Sequence, residues 1–359
     1  MFSKILLGRV ASISLCLSPF MLGTAHADVT VQERLSVEGS GLMAMANMSG
    51  TSTTSVSGKH SKIESDLVME SRLVRMFARN AGQHTEIVRL DDDTVLELDV
   101  KKKTYEEISL ADRRAQLAKA MEQQKEAQEK QPAPTGIDES QCDWSEPTVD
   151  VKKTGEKATI AGFSADHVTI LGKQSCKDRK TGAVCDVAVS LDQWLAPDFT
   201  NDEMFQFQKA YAQSMGLTTD GRDVTQRAEA LLGRYKGVWT KVADKLKDTK
   251  GYPVKTSFAF GIGGAQCKDS NAQSTQSGGG ASGGGAESPS AIASQIAGSI
   301  FGRKKKAAAE QAAAATPPPA GMENMITPLR ISSELISVSK DSLPASTFEV
   351  PAGFKKVAQ

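Results

Sequence analysis

The stretch that most constrains the fold is "YPVKTSFAFGI" (252–262), where large apolar side chains recur at every second position. A period of two is typical of a β-strand that buries one face. Shorter alternations occur at residues 29–37, where Glu33 interrupts the apolar set, and at 187–191. The segment "TVLELDVKKKTYEEI" (94–108) predicts two strands joined by a Lys-rich turn. The chain is therefore expected to be rich in antiparallel strands.

The C-terminal region adds two further strand predictions. In "TPLRISSELISVS" (327–339) the alternation changes phase near Leu335 and Ile336, which predicts a β-bulge. The segment "STFEVP" (346–351) predicts a last strand. Amphipathic spacing predicts helices over 110–130, 202–215 and 223–246. Because strands and helices do not alternate, we expect an α+β domain in which a few helices cover one face of an antiparallel sheet.

Two segments contain too little apolar surface to contribute to a core. The first is "EQQKEAQEKQPAPTG" (122–136), part of the polar helix and linker at 110–140, where the second half of the helix is polar on all sides. The second is the Gly/Ser/Ala-rich tract at 269–320, which includes "SGGGASGGGAESPS". Such compositions cannot offset the entropy of ordering, so the tract is predicted to be a disordered insertion. We therefore expect a single domain over residues 28–359 that these two segments interrupt.

The N-terminus has the pattern of a secretory signal peptide. Lys4 and Arg9 are followed by an apolar run, and Ala25-His26-Ala27 places small residues where a signal peptidase cleaves. We expect cleavage after Ala27 and a periplasmic location. No other stretch has the ~18 apolar residues of a membrane span. Without residues 1–27 the chain has 41 basic and 43 acidic residues, which gives no reason to expect nucleic-acid binding.

Four cysteines follow the signal sequence: Cys142, Cys176, Cys185 and Cys267. An even count in an oxidising compartment predicts two disulfides, and no pair has the spacing of a zinc knuckle. Cys176 and Cys185 bracket a segment rich in turn formers between two alternating runs. A hairpin would place them opposite each other, at a separation that a disulfide can span. We therefore predict the pairs Cys176–Cys185 and Cys142–Cys267.

Four short stretches together resemble a known family of bacterial secreted proteins. They are "VLELDVKKKTYEEI" (95–108), "KATIAGFSADHVTI" (157–170), "VSLDQWLAPDF" (189–199) and "ASTFEVPAGFKKV" (345–357). The family is defined only as a domain of unknown function, and it is related in fold to the periplasmic lipoprotein carriers LolA and LolB. The resemblance covers about half of the chain after residue 27. It implies a half-open antiparallel β-barrel, helices over its mouth and an apolar cavity that accepts acyl chains. The long insertion and the four cysteines depart from the family pattern.

Catalytic patterns are absent from the sequence. His167 lies in "GEKATIAGFSADHVTILG" (155–172), but "GFSAD" (162–166) lacks the second glycine of a nucleophile elbow. The run "GIGG" (261–264) ends a strand instead of opening a helix, so it is not a phosphate-binding loop. We interpret His167 as a strand residue, and we predict no catalytic residue and no cofactor.

Two other clusters have alternative interpretations. Met43, Met45 and Met48 are closely spaced thioethers that could hold Cu(I), but methionine also fills irregular apolar surfaces, which is the preferred interpretation. The basic run Arg303, Lys304, Lys305 and Lys306 could contact anionic lipid, or it could be a solvated part of the insertion.

These observations lead to a first functional hypothesis and one main alternative. The first is a non-enzymatic periplasmic protein that binds an apolar ligand, such as a lipid or acyl chain, or a lipidated partner, with the helices of 202–246 as a lid. The residues expected to line its cavity are Tyr252, Val254, Phe258, Phe260, Val187, Val189, Leu191 and Trp194. The alternative is an envelope interaction or scaffold module without a small ligand, in which the tract 269–320 reaches a partner.

Overall fold

The computed structural model describes residues 28–40, 44, 47–71, 83–130, 142–216, 236–263 and 318–357. Within these ranges the chain forms thirteen β-strands, three α-helices and one short 3₁₀ helix. The strands are β1 (Val29–Gly39), β2 (Met48–Ser57), β3 (His60–Met69), β4 (Gln83–Arg89), β5 (Thr94–Asp99), β6 (Thr104–Ser109), β7 (Cys142–Trp144), β8 (Thr148–Ile160), β9 (Phe163–Asp178), β10 (Val184–Ala196), β11 (Tyr252–Gly263), β12 (Met325–Ser339) and β13 (Lys355–Lys356). The α-helices are α1 (Leu110–Lys130), α2 (Asp202–Ser214) and α3 (Lys236–Leu246), and the 3₁₀ helix is Ala345–Phe348.

All thirteen strands belong to one sheet, in the order β13-β6-β5-β4-β3-β2-β1-β12-β11-β10-β9-β7, with β8 also pairing with β9. Every pairing is antiparallel except that of β13 with β6. The α+β class expected from the sequence is confirmed. Among the described strands, the two ends of the sheet do not pair with each other, so the sheet is open and does not form a closed barrel.

Successive residues of a strand project to opposite faces of the sheet. We call the face that contacts the helices the inner face and the opposite one the outer face. On the inner face, Met204 and Phe207 of α2 belong to an apolar cluster that extends from Val95 on β5 to Val254 on β11. These two strands are separated by five others in the sheet, so the sheet must curve around the helix.

Helix α3 covers the inner face at β9, β10 and β11. Val238, Trp239 and Val242 of the helix are fully or almost fully buried against this part of the sheet. The close approach depends on Gly172 of β9. A Cβ atom at this position would lie 2.5 Å from Cγ2 of Val242 and 2.8 Å from Cγ2 of Val238.

The C-terminal segment covers part of the outer face. Phe348 packs in a cluster with Ile87, Leu96 and Leu98. Nε and Nη2 of Arg89 donate hydrogen bonds of 3.1 and 2.7 Å to the Phe348 carbonyl. The strand predicted at 346–351 is wrong, because Ala345–Phe348 is a 3₁₀ helix. Phe348 docks through its side chain, and Arg89 binds its carbonyl group. These contacts take the place of the strand pairing that the alternation predicts.

The other secondary-structure predictions agree with the structure where it describes them. Helices were expected over 110–130 and 202–215, and α1 and α2 occupy these positions. The predicted bulge is confirmed, because the pairing of β1 with β12 shifts between Gln32, opposite Ser337, and Glu33, opposite Leu335. Residues 1–27, 223–235 and 269–317 lie outside the described residues, and so do the predictions of a signal peptide, of the start of the third helix and of a disordered insertion.

The predicted disulfides Cys176–Cys185 and Cys142–Cys267 are both wrong. Cys176 and Cys185 do face each other across β9 and β10, as the hairpin argument expected. Cys176 instead bonds to Cys142, with Cα atoms 5.2 Å apart. The physical reason is the short strand β7, which pairs with the other edge of β9 and gives Cys176 a second neighbour. Cys185 is itself disulfide-bonded, whereas Cys267 lies outside the described residues.

Candidate functional site

A row of apolar side chains crosses the inner face from strand to strand. Direct cross-strand partners lie on the same face, so the pairings can be followed across seven strands. The row consists of Met69, Met48, Val37, Ile331, Phe258, Leu191 and Ile170. We refer to these seven residues as the apolar row.

Burial changes along the apolar row. Ile170 and Leu191 are buried under α3, and the ring of Phe258 meets that of Trp239 edge-on at 5.9 Å. Farther from α3 the side chains are only half-buried, and Ile331 keeps 37% of its surface exposed. From Phe258 to the Met69 end, four inter-strand spacings of about 4.8 Å give about 19 Å. An apolar track thus emerges from beneath a helix and continues over an accessible part of the sheet.

The neighbouring row of the inner face widens this track. Gly50 of β2 lies between Leu35 of β1 and Leu67 of β3, and both leucines are half-buried. A Cβ atom at Gly50 would collide with the Asp66 carbonyl oxygen, so only glycine fits here. Strand β3 therefore packs closely against β2 at Gly50, with Leu35 and Leu67 on either side.

Two residues farther along each strand, beyond the row of Leu35, Gly50 and Leu67, the inner face of β1 to β4 becomes polar. Glu33, Ser52, Ser65 and His84 are successive cross-strand partners on β1, β2, β3 and β4. We refer to these four residues as the polar row. The Ser52 and Ser65 hydroxyls form a hydrogen bond of 3.1 Å. The polar row runs parallel to the apolar row, with Leu35, Gly50 and Leu67 between them.

Glu33 is the carboxylate of the polar row. It makes no hydrogen bond or ion pair with the residues that the structure describes, and burial raises its pKa. Burial also raises the pKa of Tyr252 to about 12, and the negative charge of Glu33 adds to this shift. The two groups are therefore close to each other in a poorly solvated part of the inner face.

A second set of charges fixes α1 to the inner face. Arg113 forms ion pairs with Glu97 at 2.6 Å and with Glu86 at 2.9 Å. Burial opposes ionisation of Glu86, but the interaction with His84 and the charge of Arg113 outweigh it and hold its pKa below the usual range. The interaction with Glu86 raises the pKa of His84. These charges neutralise one another. Arg113 therefore has its ion-pair partners in Glu86 and Glu97 and does not pair with Glu33.

The residues expected to line a cavity occupy three different environments. Val187, Val189 and Phe260 are packed under α3, together with Leu191, and a ligand could reach them only if the helix moved. Val254 is buried in the α2 cluster, and Tyr252 packs against it. Trp194 stacks on His167 at 4.5 Å. Of the eight, Phe258 and Leu191 belong to the apolar row.

The accessible part of the apolar row was not identified from the sequence. Val37, Met48 and Ile331 belong to weakly alternating segments in which polar residues are frequent. The available signal was the alternation at 29–37 and 327–339, but it does not show that these two strands are adjacent. Only the pairing of β1 with β12 brings Val37 and Ile331 together.

His167 has the surroundings of a structural residue. Its Nδ1 lies 3.1 Å from the Thr154 hydroxyl, and its Nε2 lies 3.0 Å from a carboxylate oxygen of Asp192. This resembles an acid–base–hydroxyl arrangement, but Thr154 donates its proton to the carbonyl oxygen of His167 at 3.3 Å. A hydroxyl that donates to the main chain is not activated by the imidazole. The contacts instead tie β8 and β10 to β9.

The metal and lipid-surface interpretations are only partly covered by the structure. Met48 lies opposite Met69 in the apolar row, whereas Met43 and Met45 lie outside the described residues. Within the described ranges, no group of three or more His, Cys, Asp or Glu residues is arranged to hold a metal ion. Arg303, Lys304, Lys305 and Lys306 also lie outside these ranges. No α-helix of the described chain is both long and apolar enough to span a membrane.

A polar cleft of about 580 Å³ lies among β2, β3, β4 and β5. Most of its lining side chains alternate onto the outer face, and they include Glu64, Asp66 and Thr85. Asp66 accepts a hydrogen bond of 2.9 Å from Gln83, and Glu64 pairs with Lys62. Both carboxylates thus already have partners, and the cleft lining contains no residue of the apolar row.

Comparison with known protein families, with curated proteins and with solved structures finds no match.

Proposed function

We propose that this protein is a non-enzymatic periplasmic protein that binds an amphiphile with a single apolar chain, or the acyl chain of a lipidated partner, on the inner face of its open sheet. The observation that carries the proposal is the apolar row. Its residues form a continuous track that begins in a packed core and ends in half-exposed side chains. The periplasmic location rests on the signal-peptide pattern of residues 1–27.

The proposed mechanism is burial of an acyl chain against the track. Each methylene group removed from water contributes about 0.8 kcal/mol, and a track of about 19 Å accommodates a long extended chain. The end of the chain points towards α3, where Phe258 and Trp239 form the boundary of the packed core. Movement of α3 would lengthen the track by exposing Leu191 and Ile170. The resemblance of the four sequence stretches to a family related to the lipoprotein carriers supports this mechanism, because those carriers accept acyl chains.

The alternative of a scaffold module has less support. A sheet edge can recruit a partner strand, and β8 is such an edge, because its only partner among the described strands is β9. However, the pairing of β8 is interrupted between Lys153 and Lys157, and Gly155 within this interruption has a φ of +80°. Irregularities and lysines are the features by which edge strands avoid pairing. The other basis for the alternative, residues 269–317, lies outside the described chain.

Calorimetric titration with a homologous series of n-alkanols tests the proposal. Alkanols have no charged head group, so their affinity reports chain burial alone. We expect the dissociation constant to fall by about fourfold for each added methylene group. The dependence should level off when the chain exceeds the track. An affinity that is independent of chain length, or the absence of binding, would contradict the proposal.

A further inference from the structure

We propose that the polar row is a head-group site that selects amphiphiles with an ammonium group. This inference rests on the proposed function, because it assigns the head group of a ligand whose chain occupies the apolar row. The ligand class is a cationic or zwitterionic amphiphile in which Glu33 pairs with the ammonium. Ser65, which is half-buried, offers its hydroxyl oxygen to a remaining N–H donor, and the buried Ser52 holds Ser65 in place through their hydrogen bond.

The position of Glu33 suits this role. On β1, the residues that share the inner face are Glu33, Leu35 and Val37 in succession. Each step of two residues advances about 6.6 Å along the strand. An amphiphile whose head group lies at Glu33 therefore passes Leu35 and reaches the apolar row at Val37. Leu67, which lies across Gly50 from Leu35, adds a second half-buried apolar side chain beside this path.

Charge complementarity identifies the head group. Among the described residues, the cationic groups that contact inner-face carboxylates beside the polar row are His84 and Arg113; both interact with Glu86, and Arg113 also binds Glu97. Glu33 has no such partner, and its burial disfavours the charged form. An ammonium ion would offset this cost with a charge-assisted hydrogen bond. A carboxylate or phosphate placed at the same point would instead be repelled by Glu33.

The neighbouring polar groups are consistent with a donor-rich ligand. Ser52 and Ser65 share one hydrogen bond, which uses a single proton and leaves acceptor lone pairs on both oxygens. His84 lies at the end of the row and interacts with Glu86. The row thus presents one carboxylate and several acceptor oxygens, and an ammonium group supplies donors only.

Calorimetry with three probes of equal chain length tests the inference: dodecylammonium, dodecanol and dodecanoate, each below its aggregation concentration at pH 7.5. We expect dodecylammonium to bind at least about tenfold more tightly than dodecanoate, in line with the usual strength of hydrogen bonds to charged groups. The variant Glu33→Gln should remove this preference, so that dodecylammonium and dodecanoate bind with similar affinity. The matched control Glu64→Gln changes a carboxylate of the outer face of β3 and should retain the preference.

The outcomes separate the inference from the function on which it rests. Two results would show that the head-group site is wrong while chain binding, measured with dodecanol, still holds. One is that the wild type shows no preference for dodecylammonium; the other is that this preference persists in Glu33→Gln. If no probe binds, the proposed function fails first. A further pair, lysophosphatidylethanolamine and lysophosphatidylglycerol, distinguishes the sources of the ammonium. A Glu33-dependent preference for the ethanolamine lipid indicates a zwitterionic phospholipid, whereas a preference confined to dodecylammonium indicates a simple amine.

Discussion

Val37 on β1 and Ile331 on β12 face each other directly on the inner face of the sheet, and Ile331 still keeps 37% of its surface exposed. In the same row, Leu191 and Ile170 are buried under α3. One cross-strand row therefore contains both core residues and accessible apolar residues. Retention of accessible apolar side chains on the concave side of a sheet is a feature of binding surfaces.

Substitution of Val37 tests whether the accessible part of the row binds the chain. We expect Val37→Ser to weaken n-alkanol binding by about tenfold, because the ligand loses apolar contact worth about 1.4 kcal/mol. Calorimetric titration measures the change. Val68→Ser is the matched control, since Val68 lies on the outer face of β3 and is 52% exposed. Equal effects of the two substitutions would show that the ligand does not use the inner face.

Glu33→Gln is expected to stabilise the protein without ligand at neutral pH. Burial raises the folded-state pKa of Glu33 above its ordinary value of 4.5. The contribution of such a group to the free energy of unfolding is fully present at pH values below its pKa in the unfolded state. This contribution is lost as the pH rises through its pKa in the folded state. Glutamine cannot ionise, so the variant should gain in unfolding free energy relative to the wild type as pH increases from 4 to 7.

Urea unfolding at several pH values measures this difference. Glu64→Gln again serves as the control, because Glu64 is half-exposed and pairs with Lys62. A Glu33→Gln variant whose relative stability is constant between pH 4 and 7, or decreases, would show that Glu33 is not held in a poorly solvated site.

Gly172→Ala tests the packing of α3. The new methyl group would overlap Cγ2 of Val242 and Val238. Overpacking of this kind typically costs about 1–3 kcal/mol. Chemical denaturation should show this loss, and the double variant Gly172→Ala/Val242→Ala should lose less than the sum of the two single variants, because the second substitution makes room. Additive effects would place α3 farther from β9 than the structure does.

The disulfide pattern provides a chemical test of the sheet order. Non-reducing peptide mapping should recover a fragment that links Cys142 to Cys176. We expect Cys185 to be linked to Cys267, because Asp186 pairs with Gly263 and Cys267 follows only a few residues later. The first bridge spans 34 residues and should contribute about 4 kcal/mol in the chain-entropy model. A fragment that links Cys176 to Cys185 would contradict the pairing of β7 with β9.

The sequence predicted the elements of the fold better than their arrangement. The alternation in 252–262 and the phase change at Leu335–Ile336 are local signals, and both appear in the structure as β11 and as the bulge of β12. The pairing of β1 with β12 joins segments about 300 residues apart, and no local pattern encodes it. Cys176 bonds to Cys142 and not to Cys185 because β7 brings Cys142 beside it. This strand has only three residues, which are too few to show an alternation in the sequence.

The same limitation explains the candidate site. The most apolar residues of 187–191 and 252–262 are predicted to line a cavity. Most of them instead pack against α3, because a helix that covers a sheet also needs an apolar surface beneath it. The accessible residues are the less conspicuous ones, such as Val37 and Met48, which form a track only after the strands pair. Glu33, which interrupts the apolar alternation of residues 29–37, lies where the inner face changes from apolar to polar.

The most direct test of the central claim is mass spectrometry of an organic extract of the protein, purified without detergent from the periplasm of the cells that produce it. We predict that the wild type contains a bound single-chain amphiphile or lipid in near-stoichiometric amount. The Val37→Ser variant should contain clearly less, and Val68→Ser the same amount as the wild type. An extract of well-folded wild-type protein without any lipid, or equal lipid content in Val37→Ser and the wild type, would contradict the assignment of the inner face as a binding surface.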